Sequence, residues 1–388
     1  MHGLIETFTL PRWIEAKPGC IDGVGAWAKK FGTRAFVCTG RSAARKTGLL
    51  GRVEKSLKAE SLEYEIFDSI PAEPLLEIAE QGAVLAKKKA CEVFIGLGGG
   101  SVLDTVKLVA MLQENPLPAE DYQLGKRELT KSCKPVISIP MTAGTGSEAT
   151  KVSVMTNPGL KVKKPIYSWE MVSTVALLDA EATVGLPPEL TRDTGLDALG
   201  QAIEGYLSTA GNAITSAAGS RAVRLVRDNL PLAVADGKNI QARNNMLLAS
   251  LLGGVAIAAG VGLGHEMAMA LGSYKGLSHG LLVGVLTPWC LGANIGWADE
   301  KIAELAYQFR CPHREDPAQQ ARALVEELFE FGRQLDIPPS LGAIGISQKE
   351  IVPILEASKL STNIKTNPRP LDDQVRKAVL EEAIKGEP

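Results

Sequence analysis

The stretch GLDALGQAIEGY, residues 195–206, contains the polar side chains that are best placed to do chemistry. Asp197 and Gln201 are four residues apart, so in a helix their side chains share one face and can point at a single ion. A histidine would be the more usual ligand at the second position. The stretch therefore predicts either a metal site with an exchanged ligand or a site that has lost its metal.

Two histidines follow in the segment GLGHEMAMALGSYKGLSHG, at His265 and His279. On adjacent helices the two imidazoles can converge with Asp197 on a divalent cation, and this mixture of nitrogen and oxygen ligands suits Fe²⁺ or Zn²⁺. A lone histidine in an apolar region is more often a core residue. Here, however, both stand beside glycines, where the backbone can approach a ligand closely.

A glycine-rich turn in FIGLGGGSVLDTVK joins an apolar strand to a helix that is predicted to begin near Ser101. Its glycines are Gly98, Gly99 and Gly100. Without Cβ atoms, the turn lets backbone N–H groups approach an anion at the positive end of the helix. Ser101 and Asp104 also fit a capping box. The spacing matches neither GxGxxG nor the P-loop, so the segment predicts a different phosphate loop or a merely tight turn.

A second loop, in ISIPMTAGTGSEAT, follows another apolar strand. Its hydroxyl side chains are Thr142, Thr145 and Ser147, and they alternate with glycines. Hydroxyls and unshielded backbone amides can bind a phosphate or a ribose. Two such loops at the carboxyl ends of parallel strands form the crevice where open α/β sheets bind nucleotides. Together they predict a dinucleotide site.

A third turn, CTGRSAARKTG, follows the strand that contains Cys38 and has no acidic residue to bind the adenosine ribose of NAD. Gly40, Arg41 and Ser42 instead leave room and positive charge for a 2′-phosphate. This favours NADP over NAD. The alternative is that the arginines of this turn are only solvated surface charges.

The order of apolar and amphipathic runs predicts two domains. Strand-like and helical patterns alternate through the first 180 or so of the 388 residues, which is typical of a doubly wound parallel sheet. Helical patterns alone follow Pro187 and Pro188. We predict an α/β dinucleotide-binding domain over residues 1–184 and a helical metal-binding and substrate domain over residues 185–388.

Composition narrows the classes of partner. With 42 basic and 44 acidic residues and a net charge of −2, the chain has no basic surface signature for nucleic acid. The six cysteines show no CxxC spacing and are interpreted as reduced thiols. No secretory signal is evident, which favours a cytoplasmic protein. The apolar run from Met246 to Gly264 is assigned to a buried helix pair rather than to a membrane span.

As a set, GGGSVLDTVK, TAGTGSE, LPPELTRDTGLDALGQAIEGY and GLGHEMAMALGSYKGLSHG resemble the iron-containing (group III) alcohol dehydrogenases, which share the dehydroquinate synthase fold. The resemblance covers nearly the whole chain and implies a metal in the cleft between the two domains. The implied metal ligands are Asp197, Gln201, His265 and His279. The implied cofactor residues are Gly98 to Ser101, Asp104, Thr142, Thr145 and Lys163. Lys163 stands close to two further lysines, Lys161 and Lys164.

Two positions depart from the family pattern. Gln201 stands where most members have a third ligating histidine, and Met269 stands where many have a second cleft histidine. Because a neutral amide oxygen is the weaker ligand, we expect looser metal binding than in members with the full set. Gly40 matches the members that accept NADP.

The resemblance implies an NAD(P)-dependent alcohol dehydrogenase or aldehyde reductase that acts on a small alcohol or aldehyde, with NADP favoured over NAD and Fe²⁺ or Zn²⁺ as the metal. Asp197, His265 and His279 would be the catalytic residues, and a homodimer or higher homo-oligomer is expected. Three alternatives stay open. They are a metal-independent reductase of the maleylacetate reductase type, a lyase like dehydroquinate synthase, and a non-catalytic nucleotide-binding protein.

Overall fold

The computed structural model describes residues 8–159, 162–359 and 364–386. The chain forms two compact units. The described parts of Thr7–Leu186 and Lys238–Leu251 make up an α/β unit, and those of Pro187–Gly237 and Leu252–Pro388 make up a helical unit. The predicted boundary near residue 185 lies close to the division at Leu186 and Pro187, but the units are not two continuous stretches of chain. The segment Lys238–Leu251, from the second half of the sequence, belongs to the α/β unit.

The strands of the α/β unit are β1 (Trp13–Ala16), β2 (Arg34–Gly40), β3 (Glu63–Ile70), β4 (Val93–Gly98), β5 (Val136–Pro140), β6 (Val152–Asn157), β7 (Val162–Tyr167) and β8 (Val175–Leu178). Six of them form a parallel sheet in the order β1-β8-β5-β4-β2-β3, and β6 and β7 form a separate antiparallel pair. The central strands β4 and β5 are buried along their whole length, as strands of a sheet covered on both faces must be.

Helices cover both faces of the sheet. They are α1 (Val24–Lys29), α2 (Ala43–Lys46), α3 (Leu49–Ala59), α4 (Leu76–Lys88), α5 (Gly100–Met111) and α6 (Ala119–Gln123). The side chains of β2 point alternately into two hydrophobic cores, one on each face of the sheet. Phe36 and Cys38 pack in one cluster with residues of α4 and α5, and Ala35 and Val37 pack in the other with residues of α1 and α3.

The rest of the described chain is helical. Its helices are α7 (Pro188–Leu207), α8 (Ala213–Ala235), α9 (Ile240–Ala256), α10 (Leu263–Lys275), α11 (His279–Gly292), α12 (Asp299–Gln308), α13 (Pro317–Gln334), α14 (Ile351–Ser358) and α15 (Asp373–Lys385). Short 3₁₀ turns connect several of them. The predicted architecture, a parallel α/β domain followed by a helical one, is confirmed, and the helix expected after Pro187 begins at Pro188.

Two sequence predictions need correction or completion. The capping box at Ser101 and Asp104 is wrong, because α5 begins at Gly100 and its N-cap, Gly99, makes no side-chain capping bond. The Asp104 carboxylate is used elsewhere, as described below. The sequence also gave no sign of β1 or of the β6–β7 pair. In β7, two lysines and a proline hide the strand pattern.

The apolar run from Met246 to Gly264 consists of the end of α9, a 3₁₀ turn and the start of α10. Gly260 breaks the run with a φ of +97°, a backbone conformation that L side chains rarely adopt. Among the described residues, Ile240–Ala259 is long and apolar enough to cross a membrane, yet 67% of its most apolar window is buried within the protein. Such burial is typical of a core helix.

Candidate metal centre and nucleotide-binding loops

Asp197, His265 and His279 converge within the helical unit. One ligand atom of each lies within 4.8 Å of the others. The Nε2 atoms of His265 and His279 lie 3.3 and 3.6 Å from Oδ1 of Asp197. Asp197 and His265 are buried, whereas 40% of the His279 side chain is exposed. The three residues that the sequence singled out therefore surround one point, and one of them is open to solvent.

Glycines at two helix contacts make this convergence possible. A Cβ on Gly280 would lie 2.2 Å from the backbone oxygen of Asp193, and a Cβ on Gly200 would lie 2.4 Å from Cγ1 of Val283. Real Cβ atoms do not approach other atoms so closely. The lack of side chains at these positions lets α7 and α11 approach closely enough to bring His279 beside Asp197.

Gln201 lies on the same face of α7 and fits the role of a fourth ligand, bound through its amide oxygen. Its amide Nε2 lies 3.5 Å from Oδ2 of Asp197, while its Oε1 is buried and has no hydrogen-bond partner in the structure. A buried acceptor without a partner is costly. Coordination of a cation by Oε1 would satisfy it, so the side chains present fit a divalent metal held by two nitrogens and two oxygens.

Glu204, which the sequence analysis missed, sits behind His265. Its Oε2 lies 2.6 Å from Nδ1 of His265. Burial alone would lower the pKa of His265, but Glu204 and Asp197 together raise that pKa to about 10. Burial likewise opposes ionisation of Asp197 and Glu204, yet His265 and, for Asp197, also His279 hold the pKa values of both carboxyls below their usual range. The pocket thus favours ionised carboxylates and positive charge at its centre.

The glycine-rich turns lie at the carboxyl ends of three neighbouring strands. β5, β4 and β2 are adjacent in the sheet, so the turns that follow them share one edge. A Cβ on Gly99 would lie 3.3 Å from Oγ1 of Thr142, and one on Gly100 would lie 2.6 Å from Cγ2 of Thr145. The two predicted phosphate loops therefore contact each other, as a shared anion site requires.

A buried polar cluster fastens these two loops together. Both oxygens of Asp104 are engaged, one by the hydroxyl of Ser147 and the other by the backbone N–H of Val154 at 3.0 Å. Lys107 is fully buried, and its Nζ donates to the backbone oxygens of Ser147 at 2.9 Å and of Val152. Its Nζ also lies 3.3 Å from Asp104. Burial lowers the pKa of Lys107, opposed by the Asp104 carboxylate.

The remaining predicted cofactor residues lie at the periphery of the α/β unit. Gly40 ends β2, and Arg41 is exposed beside Ser42, the N-cap of the short α2. Lys163 lies on β7, with its Nζ 3.1 Å from Glu73. Its neighbour Lys161 lies outside the described residues. A role for Lys163 in cofactor binding stays a prediction.

Comparison with known proteins identifies the family. Residues 11–180 match the model of the iron-containing alcohol dehydrogenases, and residues 191–384 match the C-terminal domain model of the Fe-containing alcohol dehydrogenase family. The chain belongs to the iron-containing alcohol dehydrogenase family. It is therefore an oxidoreductase that acts on CH–OH groups, with a nicotinamide dinucleotide and a metal as its cofactors.

Similar members of the family cover nearly the full length of the chain. Alcohol dehydrogenase 4 of Schizosaccharomyces pombe is 30% identical over 98% of this chain and 89% of its own. The NAD-dependent methanol dehydrogenase of Bacillus methanolicus is 30% identical over 94% and 96%. A crystal structure of a 1,3-propanediol oxidoreductase superposes with a TM-score of 0.93 at 30% identity, covering 99% and 100%.

The sequence of this iron-containing alcohol dehydrogenase contained signals for two further site residues, Glu204 and Lys107, that the sequence analysis did not predict. Glu204 is seven residues after Asp197 and three after Gln201, which places all three on one face of α7. Lys107 is three residues after Asp104, within the quoted glycine-rich motif. Met269, where many family members have a histidine, is half-buried one helical turn after His265.

We predict that Gly100→Ala weakens dinucleotide binding by about tenfold or more, which is about 1.4 kcal/mol or more. The added methyl group would press against the stiff, β-branched Thr145 and separate the two loops. KM for the dinucleotide, at saturating aldehyde, measures the effect. Thr145→Ser removes Cγ2 but keeps Oγ1, which would lie 2.9 Å from the added Cβ, so the double variant should recover only part of the loss.

Gly51→Ala is the matched control, because a Cβ at Gly51 on α3 would meet nothing within 4 Å. It should leave KM unchanged. An unchanged KM for Gly100→Ala as well would show that the contact between the loops does not set dinucleotide affinity.

Proposed function

We propose that this chain catalyses reversible hydride transfer between a nicotinamide dinucleotide and a small alcohol or aldehyde, with a divalent metal held by Asp197, Gln201, His265 and His279. One observation carries the proposal. Asp197, His265 and His279 converge at one point of the helical unit, and on the same face of α7 the Oε1 of Gln201 is buried without a hydrogen-bond partner in the structure. Such a set of groups has no evident structural reason to converge.

The bound cation would act as a Lewis acid on the substrate oxygen, while the dinucleotide would donate or accept the hydride. The residues have separate tasks. Asp197 contributes the only negative charge among the four ligands. Glu204 accepts a hydrogen bond from Nδ1 of His265 and so turns Nε2 towards the centre. The exposed side of His279 leaves room for a substrate to approach.

Metal analysis coupled to an activity assay tests the proposal. The purified protein is assayed for NADPH and NADH oxidation over a panel of small aldehydes, before and after exhaustive chelation. We expect bound metal, activity that falls on chelation, and recovery when Fe²⁺ or Zn²⁺ is restored. Full activity after complete chelation would instead support the metal-independent reductase, and bound dinucleotide without turnover of any aldehyde would support the non-catalytic alternative.

A preference for NADP is the finer part of the proposal. A Cβ on Gly40 would lie 3.8 Å from the nearest atom, the backbone oxygen of Ile70, so packing does not require glycine there. The turn is therefore open to a 2′-phosphate, and Arg41 is exposed beside it. Against this, one of the relatives above is described as NAD-dependent.

We expect a higher kcat/KM with NADPH than with NADH, and we expect Gly40→Asp to reverse that order. An added carboxylate would repel the 2′-phosphate and bind the free ribose hydroxyls. A clear preference of the wild type for NADH would refute the NADP assignment and leave the reaction itself unaffected. A cytoplasmic location and a homodimer or higher homo-oligomer stay predictions.

A further inference from the structure

The carboxylate of Glu204 takes part in four hydrogen bonds. Its Oε2 accepts from the backbone N–H of Gly262 at 2.8 Å as well as from Nδ1 of His265 at 2.6 Å. Its Oε1 accepts from the N–H groups of Gly264 at 2.7 Å and of His265 at 3.2 Å. One largely buried carboxylate of α7 therefore satisfies three backbone donors at the start of α10 as well as the imidazole.

The N-cap of α10 itself provides no side chain that accepts hydrogen bonds from these backbone N–H groups. The N-cap residue is Gly262, which makes no side-chain capping bond. The first N–H groups of a helix have no partner within the helix, and a capping side chain usually supplies one. In this protein the cap comes from another helix, so the start of α10 and the position of His265 are both fixed to α7.

Gly264 leaves room for this carboxylate, since a Cβ at that position would lie 2.7 Å from Oε1 of Glu204. A Cβ on Gly262 would lie 3.1 Å from Oδ1 of Asn367 and 3.2 Å from Cδ of Glu204, so Gly262 accommodates both side chains. Glu204 also lines a small cavity with apolar side chains, among them Leu207, Leu263 and Leu291. In such surroundings an ionised carboxylate interacts strongly with its donors.

We propose that Glu204 is a positioning residue that sets the metal affinity of this centre. It holds the proton of His265 on Nδ1, directs Nε2 towards Asp197, and adds a second negative charge behind a ligand set whose Gln201 is neutral. The carboxylate thereby offsets part of the affinity lost with the missing histidine. This inference rests on the proposed function only in taking the cluster to be a metal site.

Cobalt(II) titration tests the proposal with a readout that does not depend on turnover. The visible absorption of bound Co²⁺ reports occupancy in the wild type, Glu204→Gln and Glu204→Asp. We expect the apparent Kd for Co²⁺ to rise about 10- to 100-fold in Glu204→Gln, as is typical when an outer-shell partner of a ligand is lost. Glu204→Asp keeps the charge at a shorter reach and should show a smaller rise.

Glu266→Gln is the matched control. Glu266 is a buried carboxyl next to His265 on the same helix, but its Oε2 pairs with Nε of Arg376 at 3.3 Å. Thermal unfolding of the metal-free proteins measures the structural cost of each substitution. We expect Glu266→Gln to lower the melting temperature without changing the Kd for Co²⁺ by more than about twofold, well below the change expected for loss of an outer-shell partner.

The outcomes distinguish a failure of the proposed function from a failure of the proposed role of Glu204. A wild type that does not bind Co²⁺ would defeat the proposed function. A wild type that binds Co²⁺ beside a Glu204→Gln variant of equal affinity would overturn only the role of Glu204, as would equal weakening in Glu266→Gln. If Glu204→Gln does not fold, Glu204→Asp decides in the same way, and unchanged affinity in that folded variant would overturn the proposal.

Discussion

His279→Ala is expected to remove the bound metal and to lower kcat/KM by about three orders of magnitude, since loss of Lewis-acid stabilisation costs several kcal/mol in the transition state. His279 is the better target of the two imidazoles because its side chain is 40% exposed. His265 is buried and bonded to Glu204, so its replacement would also disturb the fold. Metal content and steady-state kinetics measure the effect.

His313→Ala provides the control. His313 is also an exposed histidine of this chain, but its Nδ1 pairs with the hydroxyl of Tyr307 at 3.0 Å, and it is not one of the converging ligands. Its replacement should leave both metal content and kcat/KM unchanged. A metal-free His279→Ala enzyme with full activity would exclude the Lewis-acid role.

Lys107→Met should cause the largest loss of stability, about 3–5 kcal/mol, because it breaks a buried ion pair by removing one partner. The variant would leave Asp104 without its counter-charge and the backbone oxygens of Ser147 and Val152 without their donor. Methionine has a similar volume, so packing changes little. Urea unfolding followed by fluorescence, together with dinucleotide affinity, measures the loss.

Dinucleotide affinity should fall with stability in this variant, because the same ammonium group holds the second loop against α5. The control is Lys88→Met, which changes an exposed lysine at the end of α4 and should alter the free energy of unfolding by less than about 0.5 kcal/mol. Comparable urea midpoints for the two variants would show that the buried ammonium is not a stabilising element.

Much of the site could be predicted from the sequence because its ligands lie on regular helical spacing. Asp197 and Gln201 fall on one face of a single helix, and the two histidines stand beside glycines that mark close contacts. The buried strands before each phosphate loop were also evident as continuous apolar runs. Features of this kind can be predicted because they depend on the spacing of residues that are close in sequence and not on tertiary contacts.

What escaped prediction depends on partners distant in sequence. The local sequence around Asp104 fits a capping box, yet its carboxylate binds Ser147 and Val154, which lie 43 and 50 residues further along the chain. Glu204 is an ordinary helix residue until α10 is placed against it. The segment Lys238–Leu251 is helical by pattern, but only tertiary contacts assign it to the α/β unit.

The starting points of α10 and α11 have a consequence for bound anions. His265 is the third residue of α10 and His279 is the first residue of α11, so the electropositive ends of two peptide macrodipoles lie near Asp197. The carboxylate of Glu204 already compensates the start of α10, whereas Ser278, the N-cap of α11, makes no side-chain capping bond. A negatively charged oxygen bound at this centre would therefore be stabilised more by the start of α11 than by the start of α10.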